Sequence, residues 1–276
     1  MNNHIEGRNM NINWKNIVKD NLNNVRTKHP LVHNITNFVV MNSSANILLA
    51  QGAFPVMSHS QDEVQDMTSI ANALVINIGT LTDYWVKSMI MAGKKANELG
   101  IPVIFDPVGA GATKFRTEKS LEIMKEVKVT VLRGNASEIN ALCSSKGKTR
   151  GVDSIHSVED VMESAIKLAL DDGLIIGISG EKDLITDGKQ VVRVDNGVPL
   201  MTMVTGLGCG LSATVGAFVG ANENPFNATV SAFSFYCIVG EIAYKNSNGP
   251  GTFDSQFRDA LYNTEIDSLD KANILQ

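Results

Sequence analysis

A cysteine stands among three glycines in the stretch VTGLGCG, residues 204–210, directly before an apolar run that covers residues 211–219. If this run forms a helix, the glycines lead into its N-terminus, where free backbone N–H groups and the helix dipole favour an anion. Glycine has no side chain, so a phosphate group can approach its backbone closely. We therefore predict that Gly206, Gly208 and Cys209 form an anion hole.

The thiol of Cys209 can be a nucleophile, a base toward a substrate hydroxyl, or a small buried packing group. A thiol at a helix N-terminus is expected to have a lowered pKa. The surrounding glycines favour a functional role, so Cys209 is predicted to be catalytic, whereas Cys143 and Cys237 are predicted to be packing residues. The three cysteines lie far apart without a C-x-x-C pair. This spacing argues against a disulfide framework or a cysteine zinc site and predicts a reducing, cytoplasmic location.

Four short apolar runs are predicted to be buried strands, and polar or glycine-rich residues follow each of them. The runs cover residues 73–79, 101–107, 129–134 and 174–180. Ligands of an open parallel sheet bind beyond the carboxyl ends of its strands. The residues at those ends are therefore predicted to form one site, and they are Gly79, Thr80, Asp106, Arg133, Glu138 and Ser179.

These residue types suit a nucleoside triphosphate with magnesium. Arg133 can donate two parallel hydrogen bonds to phosphate oxygens. Asp106 and Glu138 offer the hard oxygen ligands that Mg²⁺ takes in small number beside waters and phosphates. The alternative is that Arg133 and Glu138 form a structural ion pair. The spacing matches neither a Walker loop nor a dinucleotide fingerprint, which argues against P-loop and Rossmann enzymes.

Helical patterns alternate with the predicted strands and indicate a mostly parallel sheet with helices on both faces, an α/β fold. The helices are expected at residues 82–99, 117–126, 135–142 and 157–172. A β-hairpin at the edge of the sheet is predicted at 183–197 around Asp187-Gly188, followed by two or three helices. We predict a single domain over residues 12–276, preceded by a tail, residues 1–11, whose IEGR resembles a protease-cleavage sequence.

The composition is that of an ordinary globular protein, with 43% hydrophobic and 19% charged residues and a net charge of -5. No basic block interleaved with aromatic residues is present, which argues against nucleic acid as a partner. Glycine, serine and polar residues interrupt the apolar segments before they reach membrane-spanning length, so no membrane partner is predicted. Small molecules are the expected partners. His33 and His59 are predicted to be structural.

Several motifs, in order and nearly without gaps from about residue 25 to 265, resemble the hydroxyethylthiazole kinase family. The most specific is GLGC at 206–209, because most other ribokinase-like enzymes carry Asp in place of the cysteine. The sequence departs from the family at Leu207, where a small residue or Thr is usual, and at Phe54, where Ser is common. The other matching segments are PLVHNITNFVVMNSSANILLAQGAFPVMSHS (30–60), INIGT (76–80), DPVGAGAT (106–113), RGNASE (133–138) and GPGTF (249–253).

The resemblance implies a ribokinase-like fold and ATP-dependent phosphorylation of 4-methyl-5-(2-hydroxyethyl)thiazole in thiamine salvage, with Mg²⁺ as cofactor. It also implies a homotrimer with active sites between subunits. By position in the motifs, Met57 and Gly206 contact the thiazole, and Gly79 and Thr80 reach a thiazole bound mainly by a neighbouring subunit.

The same resemblance gives roles to the phosphate side of the site. Arg133 and Ser179 are expected to bind ATP, with Ser179 standing where Thr is usual. Asp106 and Glu138 are expected to serve magnesium.

Three other functions remain open at this stage. A hydroxymethylpyrimidine kinase would share the anion hole but should lack the PLVHNITN and PVM segments. A cysteine hydrolase needs a histidine base beside Cys209, and no surrounding sequence marks one. A nucleotide-binding sensor would bind ATP without thiazole-dependent turnover.

Overall fold

The computed structural model describes residues 12–145 and 158–276. The predicted tail and residue 157, where a helix is predicted to begin, lie outside the described residues. The strands are β1 (Leu31–Ile35), β2 (Phe54–Val56), β3 (Ala73–Asn77), β4 (Val103–Asp106), β5 (Val131–Asn135), β6 (Ile175–Ser179), β7 (Asp183–Thr186), β8 (Val191–Val194) and β9 (Ile274–Leu275). The helices are α1 (Trp14–Lys28), α2 (Met41–Gln51), α3 (Val64–Ser69), α4 (Asp83–Leu99), α5 (Lys114–Glu126), α6 (Ala136–Ser145), α7 (Met162–Asp172), α8 (Leu207–Ala221), α9 (Pro225–Lys245) and α10 (Pro250–Asn263).

One nine-stranded sheet joins these strands in the order β2-β1-β3-β4-β5-β6-β7-β8-β9. The pairs from β2 to β6 are parallel, and β7, β8 and β9 add antiparallel strands at the other end. The predicted hairpin is β7–β8, although β9 covers its outer strand, so the hairpin does not form the edge. The sheet is continuous, and the assignment of a single domain stays a prediction.

Side chains of the central strands alternate between two buried cores, as the pleat requires. Val75 of β3 and Ile104 of β4 belong to the core that includes α1, α8 and α9, whereas Leu74 and Phe105 belong to the core that includes α4 and α7. Both faces are therefore covered, which explains the continuous apolar runs of these strands.

The predicted helices form, with their ends set by local chemistry. Thr82 accepts a hydrogen bond from the backbone N–H of Trp85 at the start of α4, and Gly100 ends this helix in the left-handed conformation. Helix α5 begins three residues before the expected 117, because Thr113 caps it. Helix α7 begins at Met162 after a 3₁₀ turn.

Two strands at one end of the sheet were not predicted. β1 carries His33 and Asn34, both fully buried, and β2 has only three residues with none buried. Neither segment reads as an apolar run. Both strands depend on parallel pairing, since β1 pairs with β3 and β2 pairs with β1. The local sequence does not indicate this pairing.

Helix α9 is, among the described residues, the one helix long and apolar enough to cross a membrane. However, 83% of its most apolar window is buried inside the protein. Its residues Phe233, Phe235 and Val239 belong to the core beside α8. The apolar character of α9 is thus that of a central core helix.

Candidate active site

The glycine stretch forms the N-terminus of α8, as predicted. Gly206 caps this helix with φ +88°, a left-handed conformation that favours glycine. A Cβ on Gly206 would also lie 2.9 Å from Cγ1 of Val40, so a side chain has no room there. Because α8 begins at Leu207, the backbone N–H groups of its first turn belong to Leu207, Gly208 and Cys209. These groups are the donors of the predicted anion hole.

The guanidinium of Arg133 lies against this same helical turn. A Cβ on Gly208 would stand 3.2 Å from Nη1 of Arg133, so a side chain at this position would require the guanidinium to shift by a few tenths of an ångström. Arg133 is 8% exposed and donates from Nη2 to Oγ of Ser179 at 2.6 Å. The fold therefore brings the predicted ATP-binding pair, Arg133 and Ser179, to the predicted anion hole, although they come from different strands.

Asp106, at the end of β4, completes the charged centre. Its Oδ2 lies 3.6 Å from Nη1 of Arg133 and accepts hydrogen bonds from Ser212 at 2.6 Å and from Asn77 at 2.9 Å. Burial raises the pKa of Asp106 to about 6, with the charge of Arg133 acting in the opposite direction. The ion pair of Arg133 is thus with Asp106, and the alternative pairing with Glu138 is wrong.

Glu138 instead binds backbone groups. Its Oε2 accepts from the N–H of Asn135 at 2.9 Å, while Oδ1 of Asn135 accepts from the N–H of Glu138 at 2.9 Å. This reciprocal pair is a capping box at the start of α6. The other oxygen, Oε1, accepts from the N–H of Gly109 at 2.8 Å and so ties the loop after β4 to α6.

A chain of amide hydrogen bonds connects Asp106 with Cys209. Asn77 donates to Asp106, and Asn37 donates both to Oδ1 of Asn77 at 2.8 Å and to Sγ of Cys209 at 3.5 Å. Asn77 and Asn37 are almost fully buried. The thiol, the carboxylate and the guanidinium therefore belong to one connected network that crosses the carboxyl ends of four strands.

The thiol of Cys209 does not have the lowered pKa expected from its position. Burial raises its pKa to about 11, and the nearby carboxylate of Asp106 acts in the same direction. The expectation of a lowered pKa is therefore wrong, because it considered the helix N-terminus without the desolvation of the thiol. At neutral pH the group is a thiol, and its proton has to be considered in any mechanism.

Two buried polar atoms of the charged centre have no hydrogen-bond partner in the ranges 12–145 and 158–276. They are Oδ1 of Asp106 and Nε of Arg133. An unpaired carboxylate oxygen in a buried position is costly, and a divalent cation is a suitable partner for it. The described residues contain no group of three or more His, Cys, Asp or Glu side chains for a metal. This donor set fits Mg²⁺, which needs one or two carboxylates when phosphates supply the other ligands.

The predicted thiazole-binding residues lie at the same edge of the sheet, toward β2. Gly79 packs so closely that a Cβ would stand 2.5 Å from Nδ2 of Asn37. Thr80 accepts at Oγ1 from the N–H of Phe38 at 3.1 Å. Met57 directly follows β2 and is partly buried. The structure thus places Gly79, Thr80 and Gly206 around Asn37 and α2, while Met57 lies at the neighbouring strand end.

Both histidines expected to be structural make packing contacts. The ring of His33 bonds to the carbonyl of Ser58 at 2.8 Å and to the hydroxyl of Thr68 at 3.0 Å, and the His59 ring stacks on Trp85 at 4.3 Å. Among the described residues, no histidine forms a hydrogen bond with Cys209. This observation argues against the cysteine hydrolase.

The sequence reasoning missed several residues of the network. Asn37 was expected only as one of several polar residues suited to a pocket, a subunit contact or turns and caps, and Asn77 and Ser212 were not singled out. A polar residue inside an apolar run, such as Asn77 in ALVINIG, was the available signal, because a buried amide needs a partner.

Comparisons with known proteins identify the family of the chain. A profile of the Hydroxyethylthiazole kinase family matches residues 22–267. A hydroxyethylthiazole kinase of Desulfotalea psychrophila is 51% identical over 252 residues, which cover 91% of this chain and 92% of that protein. A hydroxyethylthiazole kinase of Thermoanaerobacter pseudethanolicus is 50% identical over 255 residues, which cover 92% and 97%.

Solved structures confirm the expected ribokinase-like fold. The hydroxyethylthiazole kinase of Pyrococcus horikoshii OT3 superimposes with a TM-score of 0.88 at 42% identity, covering 94% of this chain and 98% of that one. Pyridoxal kinase of Bacillus subtilis has a TM-score of 0.58 at 18% identity, covering 76% and 91%, and shares the fold alone. From the family match over most of its length and from relatives of this similarity, the chain belongs to the hydroxyethylthiazole kinase family.

Proposed function

We propose that this protein transfers the γ-phosphoryl group of ATP to the primary alcohol of 4-methyl-5-(2-hydroxyethyl)thiazole, giving the thiazole phosphate for thiamine salvage. The observation that carries the proposal is the contact between the Arg133 guanidinium and the glycine turn at Gly208, with Cys209 in the same turn. A phosphoryl group bound beside both would meet a cation and a set of backbone N–H donors at once.

Positioning and charge stabilisation supply most of the proposed catalysis. Arg133, held by Asp106 and Ser179, donates to phosphate oxygens, and the backbone N–H groups of the first turn of α8 stabilise the negative charge that develops during transfer. Asp106 would hold Mg²⁺ through its free Oδ1, with Glu138 as a second carboxylate. When bound, the metal neutralises phosphate charge.

Cys209 is proposed to orient the substrate hydroxyl and to serve as a modest base. A loose phosphoryl-transfer transition state forms little bond to the nucleophile before its proton must leave, so a strong base is not required. This agrees with a thiol whose pKa is raised to about 11 by burial. Asn37, which donates to Sγ, fixes the position of the thiol.

The thiazole is proposed to bind between subunits of a homotrimer in the cytoplasm, against Met57 and Gly206 of one subunit and Gly79 and Thr80 of its neighbour. Large apolar side chains exposed beside this end of the sheet support such an assembly: Phe38, Val39 and Phe54 are 63%, 65% and 53% exposed. Light scattering of the purified protein tests the trimer, and a monomer at enzyme-assay concentration would contradict it.

The decisive experiment measures ADP release from Mg-ATP with and without hydroxyethylthiazole, for the wild type and for Cys209→Ser. We expect strong thiazole-dependent release that is reduced but not abolished in the variant. A hydroxymethylpyrimidine tested in parallel distinguishes the related kinase. Folded protein that binds ATP without turnover on either alcohol would overturn the kinase assignment in favour of a sensor.

A further inference from the structure

Arg116, on α5, has a contact pattern that the proposed mechanism does not use. Its Nη1 donates to the carbonyl of Val108 at 2.7 Å and to that of Ile78 at 3.0 Å, and its Nη2 donates to the carbonyl of Gly79 at 2.8 Å. In the part of the chain that the structure describes, these acceptors are all backbone carbonyls and no carboxylate pairs with Arg116. Both terminal nitrogens of the guanidinium are therefore engaged in holding main chain.

The main chain that Arg116 holds belongs to two loops, which follow the neighbouring parallel strands β3 and β4. Ile78 and Gly79 follow β3 and lead to Thr80, on the proposed thiazole side. Val108 follows β4 and leads to Gly109, whose N–H donates to Glu138 on the proposed phosphate side. One guanidinium thus fixes the distance between a substrate loop and a phosphate loop.

The stem of Arg116 is itself fixed. Its backbone N–H donates to Oγ1 of Thr113, the residue that caps α5, at 3.2 Å. Its Cδ would lie 2.9 Å from a Cβ on Gly109, which has φ +76°, so the side chain packs directly on the loop it holds. The guanidinium is therefore anchored at the helix start and has little freedom to follow a displaced loop.

We propose that Arg116 is a positioning residue for phosphoryl transfer, which aligns the loop 78–80 with the loop 107–111 without touching either substrate. The inference rests on the proposed kinase function for its catalytic consequence. Only a planar fork with several fixed donors reaches three carbonyls on two loops, whereas a lysine ammonium is a single compact charge. A displacement of about 1 Å between reacting groups can reduce a rate by about a hundredfold.

The test compares Arg116→Lys and Arg116→Ala with matched variants of Arg26. Arg26 also donates from both terminal nitrogens to backbone carbonyls, those of Thr264 at 2.7 Å and Leu261 at 3.1 Å, but these lie at the end of α10. We expect the Arg116 variants to lower kcat by about tenfold to a hundredfold and to raise KM for the thiazole. Arg26→Lys and Arg26→Ala should lower Tm while leaving both constants unchanged.

Two further readouts separate positioning from folding. Millimolar guanidinium should restore part of the kcat of Arg116→Ala, and methylammonium should not. Hydrogen exchange in peptides covering residues 78–81 and 107–111 should accelerate in Arg116→Ala and stay unchanged in Arg26→Ala. If Arg116→Ala does not fold, Arg116→Lys carries the same comparison.

The possible failures are distinguishable. Absence of thiazole-dependent turnover in the wild type would overturn the proposed function, while the exchange measurement still tests the connection between the loops. Wild-type turnover together with unchanged kcat, KM and exchange in the Arg116 variants would overturn the positioning role. An equal loss of kcat in the Arg26 variants would also overturn the positioning role, because general destabilisation of the protein would then explain the loss.

Discussion

At the scale of single residues, the site is a set of side chains that need one another in order to be buried. Asp106 and Arg133 compensate each other's charge, and Asn77 and Asn37 extend this compensation to Cys209. The sequence indicated the participants at the strand ends from their chemistry. It could not predict that Asn37 contacts Cys209, because 172 residues separate them.

Cys209 offers a pH test of its role. If the thiolate were an obligatory base, kcat would follow the thiolate fraction and rise about tenfold per pH unit below a pKa of about 11. We expect a much flatter profile, because the loose transition state needs little base catalysis. Steady-state kcat against pH, measured for the wild type and Cys209→Ser, checks this.

The Cys209 variants also test the chemical class of the reaction. Cys209→Ser should lose about tenfold to a hundredfold in kcat, and Cys209→Asp should keep measurable activity because a carboxylate can also orient the hydroxyl. Complete loss of activity in both folded variants would indicate covalent chemistry and contradict the proposal.

Gly208→Ala should separate stability from activity. Gly208 lies in the first turn of α8 without a positive φ, so alanine fits the backbone and stabilises a helix by up to about 1 kcal/mol relative to glycine. The new methyl group would stand 3.2 Å from Nη1 of Arg133 and displace the guanidinium. We expect an unchanged or higher Tm together with a raised KM for ATP. If only the KM for the thiazole rose, the result would indicate that Arg133 contacts the thiazole and not ATP.

At the scale of elements, short caps and strand ends position the site. The predicted strands β3 to β6 and the helices between them were readable because burial on both faces gives continuous apolar runs. β1 was not readable as a strand, because its buried His33 and Asn34 interrupt the apolar pattern. Such polar side chains can be buried only where they find hydrogen-bond partners, as His33 does in Ser58 and Thr68. The sequence suggested a metal role for Glu138 but did not reveal its capping box with Asn135, because a carboxylate at that spacing can serve either purpose.

Asn135→Ala tests the capping box. The variant removes the side-chain acceptor for the N–H of Glu138, and losing a cap costs about 1 kcal/mol of the free energy of unfolding. We expect a lowered Tm and a lower kcat, because the carboxylate of Glu138 loses part of its orientation near Gly109. Thr82→Ala removes the cap of α4 in the same manner and provides the control. A loss of kcat in both variants would mean that general destabilisation explains the effect.

At the scale of the whole molecule, folding buries carboxylates whose pKa values rise. Asp183, at the start of β7, accepts from the N–H of Gly180 at 3.0 Å and from the thiol of Cys237 at 3.3 Å. Burial raises its pKa to about 6, with Arg133 and these hydrogen bonds acting in the opposite direction. The ionised form therefore costs stability in the folded protein.

The sign of the resulting pH dependence follows from linkage. Between the unfolded value of 3.8 and about 6, the folded protein binds the proton of Asp183 more tightly, so this group makes the free energy of unfolding fall as pH rises through that window. The full effect is on the order of 3 kcal/mol at neutral pH. Asp183→Asn should remove the contribution of Asp183 to the slope of the unfolding free energy against pH, while the contribution of Asp106 remains. Urea unfolding at several pH values measures it, and an unchanged slope would show that Asp183 is ionised at no cost.

The hydrogen-bond chain from Cys209 to Asp106 has a direction, and that direction constrains how the sequence can evolve. The ionised carboxylate of Asp106 only accepts, so Asn77 must present its NH₂ group to it and its oxygen to Asn37. An Asp in place of Asn77 would set two carboxylates against each other. An Asp in place of Asn37 would likewise leave an oxygen facing the oxygen of Asn77. Each amide is therefore acceptable only while its neighbours keep their identity, so mutations along this chain should show strong epistasis and become tolerated only as a set.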